Sequence, residues 1–151
     1  MRFTKMEGLG NDYIYLNCLS HRPPDPAGLA VRLSDRHFGV GADGLICVCP
    51  GRRGDFAMEM YNADGSRGKM CGNGIRCLGK YVYDKGLTRR TSLQVDTDSG
   101  LRALRLLPGP AGIGQVEVDM GEPSVFPQIS IPLMELTYSV MPVSMGNPHC
   151  I

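Results

Sequence analysis

No stretch of this sequence is apolar for long enough to span a bilayer, and no long run carries charge of one sign. Lysine and arginine total 16 against 15 acidic residues, a formal net charge of +1. That balance removes the electrostatic footprint of a nucleic-acid or anionic-membrane partner. The opening residues, Met1-Arg2-Phe3-Thr4-Lys5-Met6-Glu7, lack the apolar centre of an export signal, so the cytoplasm is the expected compartment. The 6 cysteines are accordingly read as reduced thiols rather than a disulfide framework. Neither Cys47 with Cys49 nor Cys71 with Cys77 has the spacing of a zinc site, and no metal is expected. Internal repeats and low-complexity segments are missing too.

What is present fits a globular chain. Its 151 residues suffice for one ordinary domain, or for a small domain and part of another, with 42% hydrophobic and 21% charged residues. Residues 2–7 read as a first strand, Gly8-Leu9-Gly10-Asn11-Asp12 as a turn, and residues 13–18 as a second strand rich in aromatic and β-branched side chains. Asp25 followed by Pro26 opens a short helix running to about residue 36, with Leu29, Ala30 and Leu33 as its apolar stripe. Gly39-Val40-Gly41-Ala42-Asp43-Gly44 matches a dinucleotide-binding pattern, but a helix precedes it and a strand (residues 45–49) follows. No helix N-terminus waits for a pyrophosphate there, and the nucleotide reading is rejected. Phe56, Met58 and Met60 alternate with polar or small residues as a half-buried strand. Further strands are expected at 93–97, 101–107, 115–120 and 136–140, the last within the proline-punctuated segment 123–142. Many strands about one main helix make an α+β arrangement.

That main helix follows Met70-Cys71-Gly72-Asn73-Gly74-Ile75-Arg76-Cys77. Ile75, Leu78, Gly79 and Val82 recur at helical spacing, and Asp84-Lys85-Gly86 closes the run with a cation and a C′ glycine. Cys71 is therefore placed at a helix entrance, where backbone N–H groups lack intrahelical acceptors and favour a thiolate. Gly72 and Gly74 leave those N–H groups uncovered for a carboxylate. A basic sulfur beside an anion cradle is what removing a proton from an amino-acid α-carbon requires. The plainer alternative is a buried thiol in a tightly packed glycine-rich turn.

Four motifs carry a resemblance: Gly8-Leu9-Gly10-Asn11-Asp12; Gly41-Ala42-Asp43-Gly44; Tyr61-Asn62-Ala63-Asp64-Gly65-Ser66 with the Cys71 motif; and Ser144-Met145-Gly146-Asn147-Pro148-His149-Cys150. In that order and spacing the sequence resembles the diaminopimelate epimerase family. The resemblance implies two pseudo-symmetric α+β domains, each a mixed sheet rolled around a central helix, with substrate between them. It implies epimerisation of LL- to meso-diaminopimelate, in lysine and peptidoglycan synthesis, by a thiolate and an opposing thiol, without pyridoxal phosphate or metal. Cys71 matches the first-domain catalytic cysteine, and His149 a histidine near the catalytic pair. Gly72 and Asn73 match positions holding the reacting amino acid, and Asn11, Asn62 and Asn147 match residues lining the pocket. Some relatives carry a glutamine ligand where Gly44 stands, so that contact is absent here. No second Cys-Gly helix entrance occurs in these residues, and Cys77, Cys150, Cys18, Cys47 and Cys49 do not stand where one belongs. The expectation is a first domain over residues 1–118 and only the opening of a second over 119–151, inactive alone. A homodimer, or association through an exposed domain interface, is a further expectation. The rival readings are a proline-racemase-like or phenazine-pathway-like isomerase, and a non-catalytic ligand-binding or assembly module.

Overall fold

A computed structural model describes residues 1–110, 112–145 and 148–151 of the chain; Asn147, one of the expected pocket residues, lies outside them. The chain divides into two compact units, Met1–Asp119 and Met120–Ile151.

The first unit runs β1 (Thr4–Gly8), β2 (Asn11–Asn17), α1 (Pro26–Ser34), β3 (Gly44–Pro50), β4 (Phe56–Asn62), β5 (Arg67–Gly68), α2 (Gly72–Asp84), β6 (Ser92–Thr97), β7 (Gly100–Gly109) and β8 (Gly112–Val118). Its sheet has the order β1-β2-β3-β4-β6-β7-β8, with β5 paired to β4. The β2–β3 and β4–β6 pairs are parallel and the others antiparallel. Each parallel pair needs a long crossover, and the two helices supply them. α2 packs against β8 and β7 at one edge and against β1 and β2 at the other. A sheet whose two edges meet one helix is curled around it, and the expected α+β fold is thereby found.

α2 earns its central place by what it buries. Ile75, Leu78 and Val82 are fully inaccessible. Gly79 is glycine because a Cβ there would lie 2.8 Å from a Leu106 methyl and 3.0 Å from one of Leu104. Its start is tied to the sheet by Tyr15, fully buried, whose hydroxyl donates to the Gly74 carbonyl at 2.9 Å. Tyr15 also stacks on Tyr81 with centroids 5.9 Å apart. The helix ends as its sequence indicates, with Gly86 at φ +67° just beyond the Lys85 cap.

Several boundaries differ from the sequence reading. Asn11 and Asp12 belong to β2 rather than to the turn, because the β1–β2 ladder continues through the Gly8–Asn11 pair. The tight turn needs only Leu9 and Gly10, both at positive φ. α1 begins as expected, Asp25 accepting from the Gly28 N–H, but stops at Ser34. Asp35 then leaves the helix and its carboxylate accepts from the His37 and Phe38 N–H groups. The strand expected at 115–120 starts three residues earlier, at Gly112, and ends at Val118.

The second unit comprises β9 (Ser124–Val125), β10 (Ile129–Leu133), β11 (Leu136–Val140), β12 (Pro142–Ser144) and β13 (Pro148–Cys150). β10 and β11 form a hairpin, and β13-β12-β9 a small sheet. Only β11 was legible beforehand, since Pro132 within β10 argues against a strand except at an edge. None of the described residues of this unit is buried, and Leu133, Leu136 and Ile151 are 59%, 62% and 80% exposed. Among all described residues, no helix is long and apolar enough to cross a membrane.

Gly44 begins β3 between Tyr13 of β2 and Asn62 of β4. A Cβ at Gly44 would stand 2.2 Å from the Tyr61 carbonyl oxygen and 2.8 Å from the Tyr13 ring. Because the first obstacle is backbone, Gly44→Ala is expected to lower the free energy of urea unfolding by about 2–3 kcal/mol; an unchanged midpoint would contradict this packing.

Candidate active site

The N-termini of β2 and β3 and the C-terminus of β4 lie together at one end of the sheet, in the row Tyr13–Gly44–Asn62. Cys71 meets that end from the helix side. It is the N-cap of α2, extended at φ −134° and ψ 115°, and its carbonyl accepts the first helical bond from Ile75 N–H at 2.9 Å. The half-buried sulfur accepts from the Gly74 N–H at 3.3 Å, as the oxygen of a serine cap would. Gly72 and Asn73, in the same turn, have N–H groups with no acceptor inside the helix. A Cβ at Gly74 would lie 2.7 Å from Ile46 Cδ1, so the Ile46 side chain would have to shift.

The sulfur has a second partner that the helix alone does not suggest. Its S–H donates to Asn11 Oδ1 at 3.2 Å. Asn11 Nδ2 in turn donates to Asp43 Oδ2 at 2.6 Å, and the Asp12 N–H donates to the same oxygen at 3.1 Å. Arg36 bridges Asp12 at 2.8 Å and Asp43 at 3.0 Å, while Lys5 reaches Asp12 at 3.1 Å. The Arg36 hydrogen bond holds the Asp12 carboxyl well below the usual carboxylate range, burial opposing it and Lys5 reinforcing it. Tyr13, 5% exposed, lies close enough to Asn11 and Cys71 for both to act on its phenol. That phenol is pushed up to about 12, chiefly by burial and then by Cys71, so it remains a hydrogen-bond donor.

The expected site residues divide into groups. Cys71, Gly72, Asn73 and Asn11 come together at the entrance of α2. Asn73 Oδ1 accepts from Arg76 one turn on, leaving its amide hydrogens to face elsewhere. Asn62 ends β4 in the same row of strands, and its side chain donates to Ser66 Oγ at 2.9 Å. His149 belongs to β13 in the second unit and is exposed. Tyr13, Asp43 and Arg76 had no role in the sequence reading. Asp43 and Arg76 stood inside quoted motifs, but only the fold shows what they touch. The space beside Gly44 is closed by Tyr13, so no longer side chain fits there unchanged.

A mixed sheet curled about one central helix is the α+β fold class that this chain shares with solved structures. In fold the chain is similar to a probable proline racemase from Agrobacterium radiobacter K84, with TM-score 0.76 and 14% identity over 98% of this chain and 50% of that one. It is likewise similar to a hydroxyproline epimerase from Agrobacterium vitis, with TM-score 0.71 and 14% identity over 98% of this chain and 50% of that one.

Within that class the sequence is specific. Residues 3–126 match the family model described as diaminopimelate epimerase, and the chain belongs to that family. It is 46% identical to the diaminopimelate epimerase of Acetivibrio thermocellus, an alignment that takes in 100% of this chain and 59% of that one. For the enzyme of Methanococcus maripaludis the identity is 43%, with the same coverage of 100% and 59%. The chain thus spans about 59% of the length of these relatives.

Two measurements check the electrostatics. Burial raises the Cys77 thiol, whose sulfur donates to the Glu7 carbonyl at 3.4 Å. Hydrogen bonding with Cys47 pushes Cys18 up to about 12, and Cys49 is raised as well by its contact with Cys18. Iodoacetamide near neutral pH should therefore modify Cys71 before Cys77, Cys18 and Cys49, by peptide mapping, with exposed Cys150 as reference; equal rates at Cys71 and Cys77 would count against this environment. The Asp12 shift has a defined sign: a depressed carboxyl stabilises the fold above its ordinary range, and that contribution fades as the pH falls through it. Asp12→Asn should cost about 2 kcal/mol at neutral pH. The gap to the unaltered chain should narrow below about pH 4 in parallel urea titrations.

Proposed function

We propose that this chain is the first lobe of a cofactor-independent epimerase that inverts an α-carbon of diaminopimelate, converting the LL to the meso form. Cys71 is one of its two acid–base sulfurs. The observation that carries this reading is Cys71 as N-cap of α2, with its sulfur and two acceptor-free N–H groups on one helical turn. A substrate α-carboxylate seated on the Gly72 and Asn73 N–H groups brings its α-proton to the sulfur. The charge that develops when that proton leaves is met by the same N–H groups, already oriented. Asn73, turned by Arg76, offers amide hydrogens to the reacting amino acid. Asn11 and Asn62 line the rest of the pocket, and the family resemblance assigns Asn147 a pocket contact and His149 a part in proton transfer.

Inversion needs a second sulfur on the opposite face, and these 151 residues hold no second Cys-Gly helix entrance. That sulfur is supplied from outside them, and the exposed apolar side chains of the second unit are where further chain, or a second copy, would associate. The product would serve lysine and peptidoglycan synthesis in the cytoplasm. Relatives at 42–46% identity named for diaminopimelate support this substrate over proline, for which only fold similarity at 14% identity speaks.

The test is deuterium wash-in from heavy water, using this chain fused to the remaining part of the Acetivibrio thermocellus relative. Diaminopimelate should take up deuterium at its α-carbon, Cys71→Ala should slow this by about 10²–10⁴-fold, and the 151-residue chain alone should give none. Exchange into proline but not diaminopimelate would reject the substrate, and exchange undiminished by Cys71→Ala would reject the mechanism.

A further inference from the structure

The glycine-rich run Gly41-Ala42-Asp43-Gly44 leads into a strand rather than a helix, and it delivers a carboxylate to the back of Asn11. A carboxylate paired with Arg36 only accepts hydrogen bonds. The Asn11 atom facing Asp43 Oδ2 at 2.6 Å is therefore the amide nitrogen. The opposite atom, Oδ1, is thereby turned to the Cys71 sulfur at 3.2 Å. An oxygen in that place accepts from a thiol and repels a thiolate; a half-turn of the amide would present N–H instead and reverse the preference. Asp43 prevents that half-turn, and is itself anchored by Arg36 and by the Asp12 N–H.

We propose that Asp43 is a positioning residue that locks the Asn11 amide with its oxygen toward Cys71, so that the empty site holds this sulfur as the proton-bearing partner. The inference rests on Cys71 being an acid–base group, but its test reads the sulfur directly and needs no turnover. The helix entrance favours the anion and the locked amide favours the thiol, so the proton on Cys71 is set by an amide rotamer that substrate or a neighbouring group has to overcome. Other groups acting on the sulfur's surroundings are Tyr13 and Tyr15 from β2 and Cys77 from α2, with Asp43 behind Asn11.

The experiment is the pH profile of Cys71 alkylation by iodoacetamide in the 151-residue chain, with Cys77 labelling and urea midpoints recorded alongside. Asp43→Asn removes the charge but keeps an oxygen for Asn11 Nδ2; Asp43→Ala removes both. Charge loss is common to the two, so their difference reports the lock. On the rising limb of the profile, Asp43→Ala should label Cys71 about 3–10-fold faster than Asp43→Asn, a displacement of about half to one pH unit. In an Asn11→Ala background the two should coincide. Identical rates for the single variants, a difference that persists without Asn11, or an equal acceleration at Cys77 would each overturn the proposal. If Asp43→Ala does not fold, Asn11→Ala alone decides: faster Cys71 labelling than in the unaltered chain supports the lock, and equal or slower labelling refutes it.

Discussion

The site depends on a sulfur standing where a helix cap normally puts an oxygen. An N-cap must be extended so that its own carbonyl starts the helical ladder while its side chain turns back to the first turn. Cys71 satisfies both demands. Its sulfur is therefore carried at the start of α2 and held there by the Gly74 N–H. Moving the sulfur would mean moving the helix, and the helix is fixed by Ile75, Leu78 and Val82 in the core and by Tyr15 at its first turn. The contacts that stabilise α2 also place this sulfur.

The sheet explains why the polar partners arrive at the same place. The β2–α1–β3 crossover runs the two strands parallel, so both N-termini fall at one end. Asn11 opens β2, and Asp43 immediately precedes β3. Two carboxylates, Asp12 and Asp43, are thus brought together, and their mutual repulsion would pry the strand starts apart without cations. Arg36, just past the end of α1, bridges both, and Lys5 on β1 adds to Asp12. The turn linking helix and strand acts as an electrostatic clasp.

Much of this was legible in the residues and some was not. The α2 pattern, its glycine stop and Cys71 at its entrance follow from local rules: period, cap and C′ glycine. Strands β3, β4, β6 and β7 follow from alternation and turn residues. The bond from Asn11 to Asp43 joins residues 32 apart, and that from Cys71 to Asn11 joins residues 60 apart, separations no local pattern spans. Asn11 in particular read as a turn residue because asparagine beside glycine so often is one; the β1–β2 ladder overrode that preference. Tyr13 was expected only as part of the second strand; it is buried there, close enough to Asn11 and Cys71 for both to act on its phenol. Of the second unit's strands β11 was expected, and others were lost among prolines, whose placement at sheet edges is invisible without the sheet.

Opposed influences on one atom are what a reversible proton carrier needs, the role proposed for Cys71. A sulfur stabilised only as thiolate would take a proton and surrender it reluctantly; one stabilised only as thiol would never take it. Here the anion-favouring groups, the Gly74 N–H and the open helix turn, are backbone and cannot be rearranged. The thiol-favouring group, Asn11 Oδ1, belongs to a side chain whose amide nitrogen donates to Asp43. The fixed part of the environment therefore pulls toward charge, and the adjustable part pulls toward neutrality. Because the adjustable part is a single amide rotamer, a ligand that competes for Asn11 would tip the balance in the proposed site.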